Sequence, residues 1–380
     1  MPWHFTFSDA LCIILAQYLG GFLYMALFKT APQSICILRL SAIGDVCNTI
    51  SAVQAIQRQW PQTQITWITG KLEAQLIGDL AGVRVLVFDK KKGWKAYTQL
   101  WAQLKNENFD ALLHMQYAFR ASIATLGIKA KYKLGFDKAR SQDFQTLFTN
   151  VQVPSPEKTH VLDGLLAFAE FLGVDDIHAQ WELTYSNADE QWANQQLVTD
   201  KPKLVLVPAA SKGYKNWTAE GYAEVITHAQ AHGWQVILAG SPAQIEKQLA
   251  QRIEGQLQQP VLNLVGQSSL KQMLALIDKA DLVIAPDTGP THMANAMNTP
   301  VIGLYAHHNP ERTGPYNYRQ YVVSAYEEAL LAETGKTPAQ VSWRTRVKDE
   351  QAMKRITAQS VIQMFDKAVN DFKITSKEHY

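Results

Sequence analysis

Short apolar runs separated by longer amphipathic stretches set the rhythm of this chain from residue 35 onward. Residues 35–40, 64–69, 83–88 and 111–115 read as strands, and residues 46–60, 72–80 and 94–105 as helices between them. Residues 157–172 read as a further helix, and residues 174–203, polar around Asn187 and Pro202, as a linker containing a helix. The alternation then restarts, with strands at 204–207, 235–239, 261–264, 282–285 and 301–305 and helices at 219–232, 245–256 and 270–279. Strands that are apolar throughout, rather than on alternate residues, suit a parallel sheet buried on both faces. The pattern predicts an α/β protein with two doubly wound, Rossmann-like domains facing a cleft. The N-terminal domain is expected over residues 31–185 and the C-terminal domain over 195–335, with a helical tail over 339–375. In such sheets ligands sit at the carboxyl ends of the strands, so the chemistry belongs in the loops that follow them.

After the first strand comes Ser41-Ala42-Ile43-Gly44-Asp45, leading into a helix. Gly44 permits a tight turn or the close approach of a ligand. Asp45 suits either a helix cap or a general base for a hydroxyl held across the cleft. A GxGxxG pattern is missing, which speaks against a dinucleotide. The first strand of the second half ends in Pro208-Ala209-Ala210-Ser211-Lys212-Gly213-Tyr214-Lys215-Asn216-Trp217. Ser211 can donate its hydroxyl to a phosphate and Lys215 or Lys212 can supply charge, although a plain surface loop has the same composition. Gly240-Ser241-Pro242 can wall a nucleotide pocket or simply connect strand to helix. The strand at 282–285 runs into Pro286-Asp287-Thr288-Gly289-Pro290-Thr291-His292, a small polar turn that opens a helix. Unpaired backbone N–H groups and the helix dipole there favour an anion. His292 and the pair His307-His308 lack metal-ligand spacing with Cys or acidic partners, so no metal site is expected.

At 380 residues about two domains are expected, and 47% hydrophobic with 18% charged residues excludes a disordered or fibrous chain. Three cysteines, Cys12, Cys36 and Cys47, form no CxxC pair, which favours a reducing cytosol over a disulfide framework. Net charge of +2 is uninformative, but residues 86–140 carry eleven Lys or Arg against four acids. That local excess suits an acidic partner, and no feature calls for nucleic acid. Residues 10–28 are uncharged, interrupted by Gln17 and Gly20-Gly21, and just long enough to cross a bilayer. Two readings of residues 1–30 stay open: an anchor or interfacial helix whose flanking Lys29 and Arg39 keep the body cytoplasmic, or an extension ahead of a start at Met25.

Taken in order, Leu38-Arg39-Leu40-Ser41-Ala42-Ile43-Gly44-Asp45-Val46, Pro208-Ala209-Ala210-Ser211 with Lys215-Asn216-Trp217, and Asp287-Thr288-Gly289-Pro290-Thr291-His292 resemble glycosyltransferase family 9, the lipopolysaccharide heptosyltransferases. The resemblance spans about residues 35–325 and implies a GT-B architecture whose C-terminal helix crosses back toward the N-terminal domain. It implies inverting, metal-independent transfer of a sugar, heptose from ADP-heptose foremost, to the acidic inner core of lipopolysaccharide, with no cofactor. By the same resemblance Asp45 matches the general base, Lys215 the diphosphate-binding lysine, Ser211 a phosphate contact, and Asp287, Thr288, Gly289 and His292 the donor loop. The basic stretch then gains a partner in the acceptor, with Arg120, Lys129 and Lys131 as its candidate ligands, and the enzyme is placed at the cytoplasmic face of the inner membrane. Ala209 and Thr218 stand where the family often has Gly and Pro, and Gln244 or Glu246 is where it often has a donor-binding acid. Other classes compatible with the scaffold are a sugar-nucleotide epimerase or hydrolase and a catalytically silent sugar-nucleotide-binding protein.

Overall fold

Two parallel sheets of six strands each carry the computed structural model, which describes residues 26–197 and 200–374. The first contains β1 (Ser34–Leu38), β2 (Gln64–Gly70), β3 (Val83–Phe88), β4 (Phe109–His114), β5 (Ala130–Phe136) and β6 (Val151–Val153), in the order β3-β2-β1-β4-β5-β6. The second contains β7 (Lys203–Leu206), β8 (Gln235–Leu238), β9 (Leu262–Asn263), β10 (Leu282–Pro286), β11 (Val301–Tyr305) and β12 (Val322–Ser324), in the order β12-β11-β10-β7-β8-β9. Counted from its own first strand, each sheet has the doubly wound order 3-2-1-4-5-6. The central strands β1, β10 and β11 are buried almost throughout, as helices on both faces demand.

The winding direction reverses between β1 and β4 in one sheet and between β7 and β10 in the other. Leu38 pairs with His114, and Leu206 with Ile284, so the strand ends at each reversal are level. Helices start from two of those ends: α1 (Ile43–Gln59) follows β1, and α4 (Gly289–Ala296) follows β10. Between the sheets the chain forms α2 (Val161–Leu172), which packs on α1, and α3 (Asn187–Gln196), which packs on the helix Leu270–Asp278 of the second domain. Lys271 bridges the domains, donating to Asp79 (2.6 Å) and to the Thr184 carbonyl (2.5 Å).

Three expectations need correction. The helix expected at 72–80 shrinks to Ala74–Ile77, because Gly78 ends it and Asp79 is held by Lys271. The tail is not helical from residue 339. Around residues 342–347 the chain is held by other contacts: the Trp343 indole Nε1 donates to the Thr159 carbonyl, the Arg344 guanidinium to the Ser141 carbonyl, and the Val347 backbone N–H to the His307 carbonyl. The terminal helix α5 (Ala358–Asp371) also stays on the second domain, with Phe365 against Trp234 at 5.0 Å and Tyr321 donating to Asp371 at 3.0 Å. Among the described residues, the tail's hydrogen bonds to the first domain come from Trp343 and Arg344. Strand β12 and the helix Tyr326–Thr334 had no clear signal in the sequence.

Of the apolar N-terminal run, residues 10–25 lie outside the described residues. The N–H groups of Leu27 and Phe28 donate to the carbonyls of Phe171 and Leu172, and the Phe28 ring packs edge-on against Tyr132 at 5.8 Å. The end of the run is therefore built into the first domain. Among the described residues no helix is long and apolar enough to cross a membrane.

Candidate active site

The carboxyl ends of β1 and β4 face those of β7 and β10, and the cleft between them encloses about 290 Å³. Three of the four loops singled out in the sequence reach it, and Gly240-Ser241-Pro242 does not line it. Gly44 and Asp45 line one wall; Ser211, Lys215, Asp287, Thr288, Gly289 and His292 line the other.

On the second-domain wall the organising group is Asp287, which follows β10 and is largely but not fully buried. Its Oδ2 accepts from Lys215 Nζ at 2.7 Å and pairs with His308 Nδ1 at 2.5 Å, while its carbonyl accepts from the same lysine at 3.1 Å. Burial alone pushes this carboxyl up. The hydrogen bond from His308 and the charge of Lys215 outweigh that and hold it well below the usual carboxylate range. Asp287 is therefore a fixed anion that aims a lysine ammonium into the cleft. Beside it Thr288 stands at the N-cap position of α4, and Thr291 donates to the Pro286 carbonyl at 2.6 Å, setting the turn. The opposite loop is pinned by Asn216, which accepts from the Ala210 N–H at 2.8 Å and leaves Ser211 exposed at the rim. A lysine, a hydroxyl and a helix N-terminus thus converge where a diphosphate would fit.

Across the cleft Asp45 stands at the N3 position of α1, where its side chain closes the N3 half of a capping box on the backbone N–H of the N-cap residue Ala42. Its Oδ2 meets Arg39 Nη2 at 2.5 Å and accepts from the Ala42 N–H at 3.3 Å. No protein hydrogen bond engages Oδ1 among the described residues. Arg39 is held in turn by the Met115 carbonyl, and its side chain is 4% exposed against 41% for Asp45. A buried guanidinium thus fixes one carboxylate oxygen and leaves the other to solvent and ligand. His292 lies between the two walls. Burial lowers its basicity more than the carboxylates of Asp287 and Asp45 raise it, so it is a neutral hydrogen-bonding group at neutral pH.

This arrangement accompanies similarity along most of the chain. The sequence profile described as glycosyltransferase family 9 (heptosyltransferase) matches residues 97–342. The chain belongs to glycosyltransferase family 9. It is 48% identical over 338 residues to the lipopolysaccharide core heptosyltransferase OpsX of Haemophilus influenzae, covering 89% of this chain and 97% of that one. A family 9 glycosyltransferase from Veillonella parvula superposes with a TM-score of 0.74 at 19% identity, covering 92% of this chain and 99% of that one. The Escherichia coli heptosyltransferase WaaC, solved with ADP, gives 0.68 at 20% identity over 88% of this chain and 99% of that one. At those identities the structures establish the fold, which is GT-B.

The three residues chosen from the basic stretch of this family 9 chain do not gather at the cleft. Arg120 is exposed on the short helix Phe119–Ala124 after β4, on the cleft side of the sheet, outside the cavity lining. Lys129 and Lys131 stand at the start of β5, and a parallel strand puts its first residues about 20 Å from its carboxyl end. There Lys129 donates to the Lys105 carbonyl at 2.9 Å, and both lysines line a separate cavity with Lys133 and Phe109. Sequence reading missed Arg39 as the partner of Asp45, His308 as the partner of Asp287, and Tyr117 and Arg312 in the cleft lining. The only local signal was a charge at Arg39 inside an apolar run. Of the two positions left open after the Gly-Ser turn, Gln244 is exposed. Glu246 is buried and takes the Ser241 N–H and hydroxyl at 2.7 and 2.5 Å, so it shapes the turn.

Gly44 has a packing reason to be glycine. A Cβ there would lie 2.4 Å from His292 Cδ2. Gly44→Ala should therefore force the two walls apart, lowering stability by about 1–3 kcal/mol and reducing transfer; a thermal melt with an assay on the same sample checks both.

Proposed function

We propose that this family 9 glycosyltransferase moves heptose from ADP-heptose to an acidic sugar of the lipopolysaccharide inner core, inverting the anomeric carbon. The observation that carries the reading is the opposition, in one cleft, of Asp45 with an open Oδ1 and the lysine held by Asp287 and His308. The acceptor oxygen attacks the anomeric carbon as the bond from that carbon to the diphosphate oxygen breaks. The acceptor proton passes to Asp45, and the bonding electron pair leaves with ADP. Lys215, Ser211 and the N-terminus of α4 stabilise the charge that develops on the departing diphosphate. In our reading these groups carry that task without a metal ion. The donor rests on the relatives: WaaC of Escherichia coli was also solved with ADP-2-deoxy-2-fluoro heptose. The acceptor rests on the 48% identity to a lipopolysaccharide core enzyme.

The acceptor's lipid anchor places the reaction at the cytoplasmic face of the inner membrane. The loop after β5 suits that surface: Phe144 and Leu147 are 72% and 77% exposed, and Phe119, 48% exposed, packs against Phe148 beside them.

Incubation of the purified protein with ADP-heptose and delipidated inner-core acceptor should yield ADP and an acceptor heavier by one heptose residue, read by mass spectrometry. Release of free heptose at the same rate with and without acceptor would replace this reading with that of a hydrolase.

A further inference from the structure

Beyond the donor loops, positive charge collects around one indole without a matching acid. The guanidinium carbons of Arg140, Arg312 and Arg344 lie 4.7, 4.6 and 5.6 Å from the Trp343 ring centroid. They come from three distant segments: the loop after β5, the short helix Pro310–Thr313, and the stretch ahead of α5. Among the described residues none of the three has a carboxylate oxygen within 4.0 Å. Arg140 is satisfied by the carbonyls of Lys158 and His160, and Arg344 by those of Ser141 and Arg140. Among the described residues the Arg312 side chain has no hydrogen-bond partner, and its Nε is buried. The neighbouring acids are already engaged. Asp163 accepts from Tyr316 at 2.8 Å, Asp137 from Ser155 at 2.7 Å, and Asp143 from the Phe119 N–H at 3.3 Å.

Three converging cations repel one another, and stacking on an aromatic face offsets only part of that cost. A guanidinium with unused donors is built for a planar or tetrahedral oxyanion, which it can grip with two parallel hydrogen bonds. The cluster also opens toward the chemistry. Arg312 lines the cleft that holds Asp45, and so does Tyr117, whose ring carries Arg344 at 5.2 Å. The Tyr117 hydroxyl makes no protein hydrogen bond among the described residues. Lys215, Ser211 and the N-terminus of α4 already provide for the donor phosphates on the second-domain wall.

We infer that Arg312, backed by Arg344 and joined by the Tyr117 hydroxyl, forms a subsite for one oxyanion of the acceptor, a carboxylate or a phosphate, placing the acceptor hydroxyl beside Asp45. Because Tyr117 belongs to the first domain and Arg312 to the second, the subsite is complete only with the domains together. The inference deepens the glycosyl-transfer reading and rests on it for the identity of the acceptor.

The test uses delipidated inner-core acceptor in three forms: intact, carboxyl-reduced and phosphatase-treated. Binding to the full chain is measured by calorimetry without donor, and transfer is measured separately. Wild type should bind one treated form roughly 10- to 100-fold more weakly than the intact form, which identifies the anion as carboxylate or phosphate. Arg312→Gln should lose a similar factor on the intact acceptor, discriminate little between the forms, and keep its affinity for ADP. Arg312→Lys, which retains the charge without the fork, should fall between and guards against a folding defect in the glutamine variant. Equal binding of all forms by wild type, undiminished discrimination by Arg312→Gln, or a parallel loss of ADP affinity would each overturn the subsite. Absence of transfer with the expected binding pattern would count against the transferase reading alone.

Discussion

Asp45→Asn should lower the turnover of sugar transfer by about 10²- to 10⁴-fold while leaving ADP affinity nearly unchanged, the range typical of removing a positioned general base. Asparagine keeps the shape of the side chain and can still accept from the Ala42 N–H, so the start of α1 survives. What it cannot do is take a proton at Oδ1. It also removes the anion facing Arg39, whose buried Nε already has no partner. Because Asp45 is 41% exposed, that loss is moderated by water and should cost about 1–2 kcal/mol. Single-turnover transfer, calorimetric ADP titration and a thermal melt on one preparation separate the two effects. Transfer at the wild-type rate would remove Asp45 from proton abstraction and leave it as the partner of Arg39. Loss of ADP affinity equal to the loss of rate would move it to donor binding.

Much of the site was legible because a doubly wound fold sends its functional loops to predictable places. Apolar runs at 35–40, 204–207 and 282–285 marked strands, and the residues just after them, Asp45, Ser211, Lys215 and Asp287, all line one cleft. Local pattern is enough for that, since a strand end is defined by the residues on either side of it. The pairings were not legible. Lys215 meets Asp287 across 72 positions of sequence, and His308 reaches the same carboxylate from the end of the neighbouring strand β11. Only the order of β7, β10 and β11 in the sheet brings those three together. Lys129 and Lys131 failed for the complementary reason. Charge density along the chain carries no information about which end of a strand a residue occupies, and theirs is the end away from the cleft. The tail was expected to be helical from residue 339, and nothing local in its sequence shows which partners its basic side chains reach. Arg344 spends its donors on carbonyls of the first domain, and Arg346 on the Tyr214 hydroxyl.

The Lys215–Asp287 pair allows binding to be separated from folding. Both side chains are largely buried, 17% and 14% exposed, and their contact is 2.7 Å. Lys215→Ala should weaken ADP-sugar binding by about 1.5–3 kcal/mol, roughly 10- to 100-fold, because a charge-assisted contact to the diphosphate is lost. It should also destabilise the fold by up to about 3–5 kcal/mol, since a buried carboxylate is left short of a partner, with His308 limiting the damage. The sign of the linkage follows from the lowered carboxyl of Asp287. Its stabilising contribution is fully present above the unfolded carboxylate range and is lost only as pH falls below it, so wild type gains it undiminished from about pH 5 to 8. In Lys215→Ala burial acts on Asp287 with less opposition, and part of the lost stability should return as acid protonates the carboxyl. Adding Asp287→Asn removes the unpaired charge outright. The double variant should therefore recover most of the melting temperature lost in Lys215→Ala while donor affinity stays low, because the ammonium proposed to meet the diphosphate is still missing. Recovery of donor affinity along with stability would make Lys215 a structural residue and pass its role to Lys212, which lines the same cleft.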